Sequence, residues 1–137
     1  MRGDDSGAAK CWGANYYGEV GDGTRTRRLA PVTVSGLAAG ATSITAGFHH
    51  SCAATGAGAI TCWGLNDHGQ LGDGTRVNRT RPSQVVGLSR GASLPTGGWS
   101  YSCAVAAGGV GKCWGANESG QLGNGTTTSS LVPVTVR

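Results

Sequence analysis

The stretch CWGLNDHGQLGDGT, residues 62–75, gathers side chains that could do chemistry. Asp67 and His68 stand side by side, the material of general acid–base catalysis. His49, His50 and Cys52, in HHSC at 49–52, are the types that build a Cys–His nucleophile or a soft metal site. GDGT at 21–24 and 72–75, and GNGT at 123–126, set a carboxylate or its amide between glycines, as a calcium loop would.

Repetition removes most of these readings. CWGANYYGEVGDGT stands at 11–24 and CWGANESGQLGNGT at 113–126, and 8 of the 14 positions are identical in all three stretches. Trp12, Trp63 and Trp114 are 51 residues apart, as are Cys11, Cys62 and Cys113, and also Cys52 and Cys103. A fixed period of this length marks a repeat array. Asp67-His68 becomes Tyr16-Tyr17 and Glu118-Ser119 in the other units, and His50 becomes Tyr101. The chemistry therefore does not recur, and His50 reads as a strand residue that hydrogen-bonds within or between units. Each turn offers one Asp, or Asn124 in the last, whereas calcium takes six or more oxygens. A tight Asp-Gly turn accounts for the same residues. No catalytic residue, metal or cofactor is expected.

The elements that position these side chains are β. Residues 41–47, 50–55, 59–64 and 81–86 read as short strands A, B, C and D, with GAG at 56–58 as a hairpin turn and a long connection over 65–80. Four short antiparallel strands per period describe one β-propeller blade. The expected fold is all-β: about two and a half blades, as a partial unit at 1–40 and full units at 41–91 and 92–137. Met1 takes the position of the first unit's strand-B cysteine, so that unit is expected to hold strands C and D alone. Pro95, where Ile44 stands one unit earlier, belongs on an edge strand and supports strand A at 92–98. Each unit needs its neighbours to cover its apolar face. The open ends imply a piece of a longer propeller or an arc that joins other copies into a ring or filament.

Composition agrees. Gly supplies 26 of 137 residues, which opposes a helical bundle, and charged residues are 13%, which opposes a charged disordered tail. No apolar run approaches the roughly 20 residues of a membrane helix, and MRGDDSGAAK has no apolar leader core. Membrane insertion is not expected. The net charge of +4 is too modest to point to nucleic acid unless the arginines cluster. Cys52 and Cys62 flank residue 57 at equal distance, and Cys103 and Cys113 flank residue 108, which puts each pair opposite on neighbouring strands within disulfide reach. Two such staples imply an oxidising, extracellular or cell-surface location. Cys11 lacks its partner.

The segment GFHHSCAATGAGAITCWGLNDHGQLGDGT resembles the repeat of the regulator of chromosome condensation family, and the resemblance runs from Lys10 to Arg137. It implies blades of a propeller that typically has seven, more than twice this length. The cysteine-bearing form is similar to repeats of secreted or surface proteins of bacteria. The family offers three functional models: nucleotide exchange on a small GTPase at chromatin, ultraviolet reception through clustered tryptophans, and secreted inhibition of β-lactamase through aromatic A–B loops. Phe48 and Trp99 match the last of these in position.

What varies inside the constant frame marks the candidate site. The A–B loops carry Phe48, His49 and Trp99, with Tyr101 just beyond. The C–D loops carry Tyr16, Tyr17, Asp67, His68, Glu118 and Ser119. In an up-and-down blade both loop sets emerge on one face. Arg25 and Arg76, and Arg28 and Arg79, recur one unit apart and give that face a basic patch that fades toward the third unit. Aromatics beside arginines are the composition of interface hot spots. The expected function is a non-enzymatic scaffold that binds a protein partner through this face. A self-assembling structural protein is the alternative, and a nucleotide-exchange, chromatin-binding or enzyme-inhibiting propeller a further one.

Overall fold

The computed structural model describes residues 2–3 and 7–137. Three antiparallel sheets follow one another along the chain. The first holds β1 (Arg2–Gly3), β2 (Ala9–Gly13) and β3 (Arg28–Thr33). The second holds β4 (Ala41–Ala46), β5 (His50–Thr55), β6 (Ile60–Gly64) and β7 (Arg79–Gln84). The third holds β8 (Ser93–Gly97), β9 (Tyr101–Ala106), β10 (Val110–Gly115) and β11 (Ser130–Thr135). In both full sheets the spatial order is the chain order, the up-and-down meander of a propeller blade. The first sheet is not strands C and D alone: Arg2 and Gly3 pair with Lys10 and Ala9, giving a stub of strand B. The position opposite Cys11 is Met1, which lies outside the described residues.

The prolines sit where the ladder can spare a donor. Pro31, Pro82 and Pro133 fall in β3, β7 and β11, and Pro95 in β8, all at sheet edges. Strand D begins two residues before the expected 81. Cys62 pairs with Ser83 but Gly64 with Arg79, so β7 runs two residues longer than β6 across Trp63. The same irregularity faces Trp12 and Trp114. Such a bulge re-aims the side chain opposite it. Strand D also ends early, where the Gln84 amide turns to donate to the carbonyls of Ile60, Val85 and Leu88.

The core lies between sheets. One cluster joins Ala9, Cys11, Val20, Val34 and Leu37 of the first blade to Ala53 and Trp63 of the second. The other joins Cys52, Ile60, Cys62, Leu71, Val85 and Leu88 of the second to Ala92, Ala104 and Trp114 of the third. Trp63 and Trp114 each leave their own sheet and seal the blade before it. The Trp63 indole lies on Gly21 and donates to the Glu19 carbonyl at 2.9 Å. Trp114 lies on Gly72 and donates to the Gln70 carbonyl at 2.9 Å. A Cβ on Gly72 would stand 2.7 Å from the Trp114 ring, so only glycine fits there. Both expected staples are present: Cys52–Cys62 and Cys103–Cys113 are register partners joined as disulfides, with Cα atoms 4.1 and 4.0 Å apart.

Candidate protein-interaction face

The invariant Asn of each repeat builds the C–D loop. Asn66 is fully buried; its carbonyl oxygen accepts from Leu71 N at 3.0 Å, and its amide donates to the carbonyls of Thr75 at 2.9 Å and Val77 at 3.1 Å. Asn15 and Asn117 repeat this pattern. The GDGT turn is closed by its own Asp. Asp22 accepts from Thr24 N and Thr24 Oγ1 at 3.0 and 2.6 Å, and Arg28 Nε donates to its other oxygen at 2.6 Å. Asp73 is held in the same way by Thr75, by Arg79 at 3.1 Å and by Ser83 at 3.0 Å. Burial pushes both carboxyls up, but the hydrogen bonds of Thr24 and Arg28, and of Thr75, Ser83 and Arg79, outweigh it and hold them below the usual carboxylate range. Arg28 and Arg79 are thus engaged inside the turns. Arg25, Arg27 and Arg76 are the exposed guanidinium groups of these two loops, and Arg25 Nε donates to the Tyr16 carbonyl at 2.6 Å.

On this rigid base the variable side chains meet. Phe48 and Trp99, from the A–B loops of adjacent blades, stack with centroids 3.8 Å apart and planes 17° apart. His49 packs edge-on against Phe48 at 4.1 Å and against Tyr17 at 5.0 Å. Phe48 and Trp99 remain 50% and 68% exposed. Among the described residues every ring–ring contact falls in this cluster. His49 Nδ1 stands 3.0 Å from Glu19 Oε2, and the other Glu19 oxygen accepts from Tyr17 N at 2.7 Å. Tyr16 is exposed beside Arg25 and Arg27, and with them lines a depression of about 330 Å³. His68 Nδ1 lies 2.9 Å from Asp67 Oδ1, with Glu118 3.9 Å from the far ring nitrogen. Burial raises the Asp67 carboxyl, while Gln70 and His68 more than compensate and bring it below its ordinary range. The exposed arginines Arg25, Arg27 and Arg76 thus stand on the first two blades, and the third-blade loop carries Glu118 and no arginine.

The topology brings Tyr16, Tyr17, Phe48, His49, Trp99, Arg25 and Arg76 to the face on which the A–B and C–D loops emerge. Tyr101 stands apart at the His50 position, its ring against Gly98. His50 is a seam residue: its Nε2 donates to Ser102 Oγ at 2.8 Å, and that hydroxyl donates to the Gln70 carbonyl at 2.7 Å. Nδ1 is left buried without a partner among the described residues, and burial pushes the His50 pKa down to about 4. Glu19 was not among the expected site residues. Its signal was present, because the other repeats carry Gln70 and Gln121 at that position.

This architecture is that of propeller blades packed face to face, and the sequence places it in a family. The model of the regulator of chromosome condensation (RCC1) repeat matches residues 7–54, 57–105 and 113–137, and a second model of the same repeat matches 41–70. The chain belongs to the RCC1 repeat family. It is 34% identical over 128 residues to the ultraviolet-B receptor UVR8 of Arabidopsis thaliana, covering 92% of this chain and 29% of the receptor. The fold is similar to human WBSCR16, with a TM-score of 0.85 at 19% identity over 98% of this chain and 34% of that one. It is also similar to yeast RCC1 (Prp20), solved bound to Kap60, with a TM-score of 0.78 at 20% identity over 92% of this chain and 32% of that one. The chain spans about a third of the length of these proteins.

Proposed function

We propose that the chain is a non-enzymatic protein-interaction scaffold whose loop face grips a partner segment that sets an acidic side chain beside an apolar anchor. The observation that carries this reading is the stacked Phe48–Trp99 pair, which keeps half or more of its surface in water despite its mutual packing. Exposed rings on a rigid base gain most when a partner covers them. Arg25 and Arg27 beside Tyr16 supply the charge that would orient an acidic group. Asp67 and Glu118 at the other end disfavour the reverse orientation. Yeast RCC1 (Prp20), solved bound to Kap60, gives a precedent for a protein that carries this fold binding another protein.

The two disulfides support an oxidising compartment, and we infer an exported or surface-displayed protein of the bacterial cysteine-bearing type. A random peptide library displayed on phage tests the binding face. The native chain should enrich peptides that pair Asp or Glu with an apolar residue, and the Phe48→Ala/Trp99→Ala variant should enrich none of them. Equal enrichment by both proteins would place binding elsewhere.

A further inference from the structure

The three repeats treat one buried main-chain donor differently. Asn66 N donates to Asn78 Oδ1 at 2.8 Å, and Asn117 N donates to Ser129 Oγ at 3.1 Å. In both repeats the acceptor lies 12 residues on, so the donor is satisfied within its own loop. The equivalent residue of the first repeat is Arg27. A guanidinium cannot accept a hydrogen bond. Asn15 is only 2% exposed, and its side chain makes the same loop bonds as Asn66 and Asn117. Its main-chain N–H, however, has no partner among the described residues. A buried main-chain donor left in this state is uncommon in folded proteins.

The surroundings of that donor are cationic. Asn15 lines the depression of about 330 Å³ together with Tyr16, Arg25 and Arg27. Arg25 Nε is tied to the Tyr16 carbonyl at 2.6 Å, which leaves the two terminal nitrogens of an anchored guanidinium to bind. The nearby carboxylates are already engaged: Asp22 by Thr24 and Arg28, and Glu19 by His49 and the Tyr17 amide. The other repeats lack the combination. Arg76 repeats Arg25, but Asn78 replaces Arg27 and fills the site with its own oxygen; the third loop has Thr127 and Ser129.

We propose that the first C–D loop is an oxyanion site. A carboxylate or phosphate oxygen accepts from Asn15 N, in the place that Asn78 Oδ1 and Ser129 Oγ take in the other repeats, and the guanidinium groups of Arg25 and Arg27 hold the rest of the group. Arginine presents paired donors that match both kinds of anion. The main-chain N–H adds a donor fixed by the buried asparagine beneath it. The site deepens the reading of the loop face, and it rests on that reading for the anion's arrival on a partner side chain.

Amide NMR of the labelled chain tests it, with sodium phosphate and sodium acetate as probes at constant ionic strength. Each probe should shift the Asn15 amide resonance saturably. The Asn66 and Asn117 amides, already capped, should stay in place and report an intact fold. Tighter binding of phosphate would mark a phosphorylated group as the occupant, and tighter binding of acetate an Asp or Glu side chain. Arg27→Asn gives the first loop the cap of the second and should abolish the shift. Arg25→Ala should weaken binding by about tenfold. An Asn15 amide that does not move, or moves no more than those of Asn66 and Asn117, overturns the proposal, as does a native response from Arg27→Asn. Anion binding without peptide enrichment by the native chain would uphold this site and overturn the loop-face reading. Enrichment with an unmoved Asn15 amide would do the opposite.

Discussion

The two seams between blades share one frame and differ in what stands on it. At the first, the Glu19 carbonyl accepts from Trp63 Nε1 and Ser51 Oγ, each at 2.9 Å. At the second, the Gln70 carbonyl accepts from Trp114 Nε1 at 2.9 Å and Ser102 Oγ at 2.7 Å. Above this level they part. The Glu19 carboxylate reaches His49 and supports the ring cluster, while the Gln70 amide turns back to Asp67 at 3.1 Å. The frame bonds go to main-chain oxygens, which every residue type supplies, so the side chains above are free to vary. A repeat can therefore carry a different surface on each blade without loosening the seam beneath it.

The sharpest way to break this symmetry is to empty a seat. Trp63→Ala or Trp114→Ala removes a fully buried indole and its hydrogen bond, and urea unfolding should show a loss of about 3–5 kcal/mol for either. Trp12→Ala should cost far less in the monomer, because that ring is already 41% exposed.

Acid should separate the seams next. His50 belongs to the second seam alone, and burial keeps its folded-state pKa near 4, below the ordinary 6.5. Between those values the unfolded chain binds a proton that the folded chain does not. Stability should therefore be unaffected by this group above about pH 6.5 and fall as pH drops toward 4, by on the order of 3 kcal/mol in all. A His50→Gln variant followed over the same pH range should show a flatter profile. Asp22 and Asp73, held below the usual carboxylate range, lose their contribution only at still lower pH.

The period of 51 made most of the fold legible, since a tryptophan, a cysteine pair and turn glycines at fixed spacing leave few arrangements of four strands. The loop face was legible as well, because up-and-down topology sends both variable loops the same way, and Tyr17 does meet His49. What escaped were pairings that only three dimensions decide. Arg28 and Arg79 look like free surface charge in the sequence, but the bulge across each Trp brings them onto Asp22 and Asp73. Trp12 reads as packing by analogy with its repeats, but it is 41% exposed.

The claim that the frame and the face are separable meets its most direct test in the unfolding free energy of the Phe48→Ala/Trp99→Ala double variant, measured in urea beside Trp63→Ala. Both changes delete large aromatic rings, but only one deletes a buried one. The double variant should unfold within about 1 kcal/mol of the native chain. A loss as large as that of Trp63→Ala would mean that the exposed stack helps to hold the blades together, and the separation of frame from face would fail.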